Sequence, residues 1–292
     1  MLRAAATAVC LSLNLAFWGT FVLLGGLVKL LTFGRMRARV IRVLAWLGER
    51  WVQVNNAVFD LFLSTEWRLT GLEGLRPDRH YLVISNHISW VDIFAAQRAF
   101  LDRGPFLRFF LKHVLIWSPI VGQAAWALEF PFMRRYSAEY LQKHPEKRGR
   151  DLETTRRACQ RYRGIPVGIL NYVEGTRFTR EKQAEQSSPY RHLLRPRVGG
   201  IGFVLASFAD QLDALYDLTI VYPKEDVTVF DLAKNKLPWV AVHARRIDVP
   251  AEFHSDAITQ PGPARDHFKA WVEQLWREKD ELIARILLES RQ

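Results

Sequence analysis

The sequence predicts an α/β fold in which helices flank a mostly parallel central sheet, preceded by an N-terminal hydrophobic helix or helix pair. Residues 4–28 contain no charged side chain, residues 39–60 carry a helical stripe of polar side chains, and short β-rich runs then alternate with helical stretches. Apolar strands separated by helices are typical of a parallel sheet covered on both faces. We therefore assign residues 1–63 to N-terminal membrane-binding helices and residues 64–292 to an α/β domain.

The composition narrows the classes of protein to consider. The chain has 292 residues, of which 49% are hydrophobic and 24% charged, and this excludes a wholly disordered chain. Its mean hydropathy is close to zero, which excludes a polytopic transporter. The net charge of +11 favours an anionic partner, whether a membrane surface, a phosphorylated substrate or nucleic acid. Cys10 and Cys159 lie far apart, so they form neither a disulfide framework nor a zinc site, as expected in a reducing compartment.

The first apolar segment, residues 4–28, exceeds the roughly 20 residues that a helix needs to cross a bilayer. A cleaved signal peptide is the alternative, but the run is longer than a usual signal core and lacks a clear A-x-A site. Basic residues follow the run, and the positive-inside rule then predicts that the remainder of the chain lies in the cytoplasm. These basic residues are Lys29, Arg35, Arg37, Arg39 and Arg42.

The second segment, residues 39–60, combines a polar stripe with apolar residues on its other faces. Such a helix suits the lipid interface or a pair with the first helix. The alternative is an ordinary helix docked on the globular domain. Both readings attach the protein to a membrane through its first segment.

The predicted elements of the α/β domain are short and alternate along the chain. Strands are predicted around TEWRLTG (65–71), YLVIS (81–85), LRFFLK (107–112), IPVGILNY (165–172), LYDLTIVY (215–222) and WVAVHARRI (239–247). Helices are predicted at residues 92–100, 119–128, 151–162, 199–211 and 265–288.

The motif NHISWVD (86–92) directly follows the predicted strand YLVIS. His87 should therefore lie at the carboxyl edge of the sheet, where ligands bind in open α/β folds. Asp92, five residues later, falls in the first turn of a helix, where its carboxylate can fix one tautomer of the imidazole. The other ring nitrogen would then serve as a general base. The alternative is a core histidine beside an aspartate that only caps the helix.

The motif EGTR (174–177) follows the predicted strand IPVGILNY. Gly175 lets the backbone approach a ligand closely, and Arg177 offers a planar fork that matches phosphate oxygens. Arg195 and Arg197 add positive charge nearby. The alternative is a polar turn with a surface Glu–Arg pair.

These motifs resemble blocks of the glycerolipid acyltransferases, the 1-acylglycerol-3-phosphate (PlsC-like) acyltransferase family. NHISWVD is similar to the NHxxxxD block in its NHxSxxD form, and EGTR is similar to the phosphate-binding block. PFMRR (131–135) resembles the intervening F-x-x-R block, with Arg135 as the equivalent of its arginine, and IVYP (220–223) resembles the last block. Val173 stands where the family often has proline, and the long stretch 134–163 looks like the branch that includes lysocardiolipin acyltransferases.

The resemblance implies a glycerol-3-phosphate acyltransferase-like fold and an acyl transfer from a thioester to the hydroxyl of 1-acyl-glycerol-3-phosphate, which makes phosphatidic acid. His87 would be the general base and Asp92 would orient it. The residues expected to bind the acceptor are Glu174, Gly175, Thr176, Arg177 and Arg135. A thioester is already activated, so no enzyme nucleophile is required, in keeping with the absence of a G-x-S-x-G elbow.

The expected partners follow from that reaction. They are a lysophospholipid acceptor, acyl-CoA or acyl carrier protein as co-substrate, and a phospholipid membrane. No other cofactor and no metal is expected, because the eight histidines show neither HxH nor HExxH spacing. We expect the protein at a bacterial inner membrane, with the catalytic domain facing the cytoplasm.

Besides a membrane scaffold that kept the fold but lost activity, which the full NHISWVD motif disfavours, two alternative functions remain open. The first is a lysophospholipid acyltransferase for larger headgroups, such as lysophosphatidylglycerol or lysocardiolipin. The second is a basic, membrane-associated RNA-binding protein, which the net charge supports. The sequence lacks a zinc finger, an RRM signature and an aromatic–basic platform, and this disfavours specific nucleic-acid binding.

Overall fold

Two long helices form the N-terminal part of the chain. The computed structural model describes residues 2–133 and 150–290, and within them α1 spans Leu2–Leu30 and α2 spans Gly34–Phe62. Among the described residues, one helix is long and apolar enough to cross a membrane, over Arg3–Leu30. The helices end shortly before the first strand, but the division of the chain into two units at residue 63 stays a prediction.

The two helices lie antiparallel and pack along their length. Asn14 of α1 donates from Nδ2 to Oδ1 of Asn55 in α2, at 2.9 Å, near one end of the pair. Trp18 meets Trp46 edge to face closer to the connecting turn. The predicted pairing of the second helix with the first is therefore present.

The α/β domain contains a six-stranded sheet and a separate two-stranded one. Its strands are β1 (Glu66–Thr70), β2 (His80–Ser85), β3 (Leu107–Phe109), β4 (Leu111–Lys112), β5 (Phe132–Met133), β6 (Val167–Tyr172), β7 (Ala214–Val221) and β8 (Trp239–Ile247). Its α-helices are α3 (Val91–Phe100), α4 (Val121–Ala127), α5 (Arg150–Tyr162), α6 (Arg180–Glu185), α7 (Gly199–Phe208), α8 (Val229–Ala233) and α9 (Pro263–Glu289). Short 3₁₀ turns occupy His113–Trp117, Ala209–Gln211, Ala251–Phe253 and Asp256–Thr259.

The order of strands in the main sheet is β1-β8-β7-β2-β6-β3. Every neighbouring pair is parallel except β7 and β8, which run antiparallel. The prediction of a mostly parallel sheet is thus confirmed. In the centre, Ser85 at the end of β2 lies between Tyr172 of β6 and Leu218 of β7. The segments that follow β2 and β6 therefore emerge side by side, and β7 runs on past them.

Helices cover both faces of the main sheet, and β2 shows the alternation that this requires. Tyr81 and Val83 point to the face covered by α2, α3 and α4, whereas Leu82 and Ile84 point to the face covered by α5, α7 and α9. All four side chains are fully buried. The sequence pattern of near-continuous apolar strands follows from this two-sided burial.

A cluster of charges fastens the helix pair to the α/β domain. The Lys29 ammonium donates to the carbonyls of Trp126 and Ala127, at 2.9 Å each, and lies 3.1 Å from Glu129 Oε1. Arg37 of α2 contacts the same oxygen, and Arg161 of α5 contacts Oε2 at 2.8 Å. The Lys29 and Glu129 side chains are only 1% and 7% exposed. Because one carboxylate joins three helical segments, the pair is docked on the domain.

Glu129→Gln should destabilise the protein by about 3 kcal/mol or more, because it leaves Lys29 buried without its counter-charge. Lys29→Met should cost less, since Glu129 keeps Arg37 and Arg161 as partners. Denaturant unfolding in detergent, followed by tryptophan fluorescence, measures both. The surface substitution Glu153→Gln, which removes an exposed pair with Arg157, is the control and should change little. Equal costs for all three variants would contradict this account.

Candidate active site

The loop between β2 and α3 brings His87 and Asp92 together. His87 lies two residues beyond the end of β2, and Asp92 is the second residue of α3. His87 Nδ1 is 2.8 Å from Asp92 Oδ2. An imidazole paired to a carboxylate in this way carries its proton on Nδ1, which leaves Nε2 as an acceptor. The contact predicted between the two residues is present.

Asp92 is fully buried, and four donors converge on its carboxylate. Besides His87, the backbone N–H groups of Ile88 and Ser89 donate to Oδ2, at 2.7 and 2.9 Å. The Tyr222 hydroxyl donates to Oδ1 at 2.6 Å. Asp92 therefore shapes the loop before α3 and also fixes the imidazole. It does not cap α3, whose N-terminus has no side-chain cap.

Tyr222 is a further site residue, which the sequence does not predict although it lies in the IVYP segment. Burial, and then the negative charge of Asp92, hold the pKa of Tyr222 well above its usual value, so the phenol remains a donor. The ring of Tyr172 stacks on the ring of His87, with 4.1 Å between their centroids. Asp92 thus holds the imidazole at Nδ1, and Tyr172 holds it by stacking on one face of the ring.

Asn86 anchors the residue before His87 to the neighbouring strand. Its Nδ2 donates to the carbonyl of Ile220, at 2.8 Å, and its Oδ1 accepts from the Ile220 N–H at 2.9 Å. The side chain thereby extends the ladder between β2 and β7 beyond the end of β2. The asparagine of the NHISWVD motif is a structural residue in this arrangement.

Glu174 is buried and does not line the cleft. This differs from the prediction that Glu174 contacts the acceptor or its arginine partners. Its side chain is buried, Oε1 accepts from the N–H of His87 at 3.2 Å, and Oε2 accepts from the N–H of Leu194 at 3.1 Å. Burial raises the pKa of Glu174 to about 8, an effect that the two N–H donors reduce. With both oxygens directed at backbone groups, Glu174 joins the His87 loop to the segment around Leu194.

The C-terminal helix holds that segment in place. Asp280 of α9 accepts from the backbone N–H groups of Arg191 and His192, at 2.8 and 2.7 Å. Trp276 Nε1 donates to the carbonyl of Leu194 at 3.1 Å. A chain of contacts consequently runs from α9 through the 191–194 segment and Glu174 to the backbone of His87.

The residues after Glu174 form one wall of a cleft above His87. Gly175 closes a turn by donating to the Tyr172 carbonyl at 3.0 Å, and its φ of +71° lies in the region that favours glycine. Thr176 and Arg177 line the cleft, and the exposed Arg177 guanidinium lies 5.6 Å from the centre of the Trp90 ring. Three of the predicted binding residues, 175–177, thus lie on the side of the cleft that faces His87.

The cleft has a volume of about 430 Å³ and combines cations with apolar side chains. His87 is 18% exposed and borders it. Lys112 and Lys182 add positive charge, and Lys182 Nζ donates to Thr176 Oγ1 at 2.9 Å. Most of the other lining side chains are apolar, and Lys112 lies among them in the sequence. The apolar side chains are Ile93, Phe109, Phe110, Leu111, Val114, Leu115 and Met133. Such a cleft suits a ligand that has both a phosphate and an acyl chain.

Two other predicted residues, Arg135 and Arg195, and the motif residue Ser89 have different outcomes. Arg135 lies outside the described residues. The Arg195 guanidinium donates to the carbonyls of Gln186 and Ser187, at 2.9 and 2.8 Å, and therefore serves the C-terminal end of α6. Ser89 is buried and its Oγ accepts from the N–H of Val91, so it supports the start of α3.

No group of three or more His, Cys, Asp or Glu side chains is placed to hold a metal ion within residues 2–133 and 150–290. The expectation of a reaction without metal or cofactor stays a prediction.

Lys112 and Lys182, the two lysines that line the cleft, were not predicted, for different reasons. Lys182 follows Arg177 by five residues and could have been found by extending the EGTR motif into α6, whereas no sequence signal marks Lys112.

The fold and the site together define an α/β enzyme with a histidine–carboxylate pair at the carboxyl edge of its sheet. The sequence model of the family described as Acyltransferase matches residues 66–222, more than half of the chain. The chain therefore belongs to the acyltransferase family.

Individual relatives agree at modest identity. The chain is 26% identical over 288 residues to "Lysocardiolipin acyltransferase 1" of Danio rerio, covering 92% of this chain and 67% of that protein. It is 28% identical over 247 residues to "1-acyl-sn-glycerol-3-phosphate acyltransferase 2" of Arabidopsis thaliana, covering 78% of this chain and 57% of that protein. The chain thus spans about three fifths to two thirds of the length of these two relatives.

Among solved structures, the chain is similar to the 1-acyl-sn-glycerophosphate (LPA) acyltransferase PlsC from Thermotoga maritima. The TM-score is 0.54 at 16% sequence identity, and the match covers 97% of this chain and 95% of that one. At this identity the likeness shows the fold alone, and it confirms the predicted fold class.

Asp92→Asn should lower the turnover number of acyl transfer by about 10²–10⁴-fold, because the imidazole loses the carboxylate that fixes its tautomer. Tyr222→Phe should lower it by about tenfold and leave KM unchanged, because Tyr222 acts through Asp92. The double variant should be no slower than Asp92→Asn alone. Steady-state kinetics on variants with native melting temperatures provide the measurement. Fully multiplicative losses would contradict a shared path through Asp92.

The raised pKa of Glu174 makes a prediction about stability. Between about pH 4.5 and about pH 8, the unfolded chain releases this proton while the folded protein keeps it, so the unfolding free energy falls as pH rises. Glu174→Gln lacks this titration. The stability of the variant relative to the native protein should therefore improve from about pH 5 to about pH 8, as measured by paired denaturant titrations. A difference that stays constant with pH would show that Glu174 titrates normally.

Proposed function

We propose that this acyltransferase moves a fatty acyl group from an acyl thioester to the free hydroxyl of 1-acyl-glycerol-3-phosphate, which makes phosphatidic acid. The observation that carries the proposal is the His87–Asp92 pair beside a cleft whose lining combines the cations Arg177, Lys182 and Lys112 with apolar side chains. A lysophosphatidate has a phosphate close to its reacting hydroxyl and an acyl chain beyond it. The cationic and the apolar side chains match those two parts.

The chemistry requires one base and no enzyme nucleophile. Nε2 of His87 takes the proton of the acceptor hydroxyl while the oxygen attacks the thioester carbonyl carbon. Asp92 stabilises the imidazolium that forms. When the tetrahedral intermediate collapses, the carbon–sulfur bond breaks and the imidazolium returns the proton to the departing thiolate. The products are the ester and a free thiol, and His87 is again neutral.

The cationic side chains of the cleft would hold the acceptor phosphate. Arg177 presents an exposed guanidinium on the rim, and Lys182 is fixed by Thr176 and by the Arg177 carbonyl, the latter at 3.0 Å. A planar guanidinium and an ammonium together suit a phosphate with several free oxygens. Glu174 would act from below, as a positioning residue that sets the backbone of His87.

Membrane attachment is part of the proposal and rests on exposed apolar surface. The outward side of α1 carries the exposed side chains Val9, Leu13, Phe17, Phe21, Leu24 and Leu27, and Leu31 is exposed directly after the helix. Val114 and Trp117 are exposed on the 3₁₀ turn beside α4, against which α1 packs, and Val114 also borders the cleft. Such a surface would sit in the lipid interface and bring the cleft to lipid substrates. A bacterial inner membrane with the domain on the cytoplasmic side is the location we propose.

A lysophospholipid with a larger headgroup is a second candidate acceptor. The 26% identity to a lysocardiolipin acyltransferase extends over 92% of the chain, whereas the match to the Arabidopsis enzyme covers 78% of it. The proposed donor in either case is acyl-CoA or acyl carrier protein.

The test uses purified protein in mixed micelles with labelled acyl-CoA and lysophosphatidate. His87→Ala should lower the rate of diacyl product by at least about 10²-fold, since it removes the general base. His254→Ala, an exposed histidine away from the cleft, is the matched control and should retain full activity. Product from lysophosphatidylglycerol or lysocardiolipin alone would favour the second candidate. A His87→Ala variant as active as the native protein would overturn the mechanism.

A further inference from the structure

The cleft continues past Gly175 and Thr176 into a second part that His87 does not border. This part has a volume of about 500 Å³ and is lined by Lys112, His113, Val114, Met133, Gly175, Thr176 and Arg197. The first part shares five of these residues, but it contains His87 and Arg177 and lacks Arg197. In the portion of the chain that the structure describes, no carboxylate lines either part.

Arg197 has a backbone held in place by a hydrogen bond and an exposed guanidinium. Its N–H donates to the carbonyl of Val173 at 2.9 Å, so its Cα is held beside the strand extension that precedes the EGTR motif. Its side chain is exposed, and within residues 2–133 and 150–290 its guanidinium has no hydrogen bond or ion pair. Arg195, two residues earlier, differs because its guanidinium is bonded to the carbonyls of Gln186 and Ser187. Of this arginine pair, only Arg197 is available to a ligand.

The spacing of charges within the two substrates assigns the two parts of the cleft. In a lysophosphatidate the phosphate is one carbon away from the carbon that bears the reacting hydroxyl. An acceptor that reaches His87 must therefore place its phosphate in the first part, near Arg177 and Lys182. In acyl-CoA the whole pantetheine arm separates the thioester from the nearest phosphate. A cation that borders the second part but not the first is placed for that more distant phosphate.

We propose that Arg197, together with Lys112, which lines both parts of the cleft, binds the phosphate groups of the pantetheine-bearing acyl donor. This inference rests on the proposed function, because it assumes that a thioester reacts at His87. The shared wall of Gly175 and Thr176 separates the donor phosphates from the acceptor phosphate. The thioester carbon then enters the first part from the second part, past the shared residues Gly175 and Thr176.

Arg197→Gln is the test variant, assayed with lysophosphatidate and two donors that share one acyl thioester. Acyl-CoA carries the phosphates, whereas S-acylpantetheine lacks them. The KM for acyl-CoA should rise by about tenfold, because a charge-assisted contact is lost. The KM for S-acylpantetheine and the KM for lysophosphatidate should each stay within about twofold. Arg191→Gln, an exposed arginine on the preceding segment, makes the same change in net charge and should leave all three values unchanged.

Several outcomes would overturn the assignment. An equal rise in KM for both donors would show that Arg197 does not act on the phosphates, and a rise in the KM for lysophosphatidate would assign it to the acceptor. An effect of Arg191→Gln as large as that of Arg197→Gln would reduce the result to non-specific charge. No change in any constant would also overturn it.

Failure of the proposed reaction can be distinguished from failure of this subsite. If the native protein forms no product with either donor, the reaction is wrong, and the subsite is then tested by equilibrium binding of labelled CoA alone. Native protein should bind CoA about tenfold more tightly than Arg197→Gln, with Arg191→Gln unchanged. Equal binding by the native protein and both variants would overturn the proposal on its own terms.

Discussion

The hydrogen bonds to the Asp92 carboxylate are the constraint on which the site depends. One buried carboxylate collects a ring N–H, two backbone N–H groups and a phenol, and these come from the loop after β2 and from the end of β7. A buried charge is tolerated only when its lone pairs are satisfied in this way. A movement of the loop or of β7 would expose the Asp92 carboxylate or remove some of its hydrogen-bond donors. The position of the imidazole is therefore coupled to the folding of the central sheet.

Glu174 plays a comparable part for the other half of the site. It receives one N–H from the His87 loop and one from the 191–194 segment, which α9 holds through Asp280 and Trp276. The buried glutamate at the start of the EGTR motif thus acts on the backbone from inside the protein, while Thr176 and Arg177 line the cleft. A short motif can combine a residue that shapes the backbone with residues that meet the ligand, and the sequence spacing alone does not separate the two roles.

Much of the architecture was predictable because the physical signal is local. The strands around YLVIS and IPVGILNY are continuous apolar runs that end in polar motifs, and both lie where the sequence predicts them. His87 and Asp92 were predictable because a strand-to-helix turn fixes their distance. Tyr222 was not, since its contact with Asp92 spans 130 positions in the chain. Arg195 and Arg197 look equivalent in sequence, and only the carbonyls at the end of α6 distinguish them. The antiparallel pairing of β7 with β8 was not predictable from the sequence pattern either, because an apolar run does not encode the direction of its neighbour.

The docking of the helix pair has a wider consequence. A flexible tether would let a catalytic domain sample many heights above a bilayer, but Glu129 joins α1, α2 and α5 through buried or half-buried charges. If α1 lies in lipid as proposed, the depth of the cleft relative to the lipid headgroups is a fixed dimension of the fold. Glu129 is then the residue whose contacts set this depth.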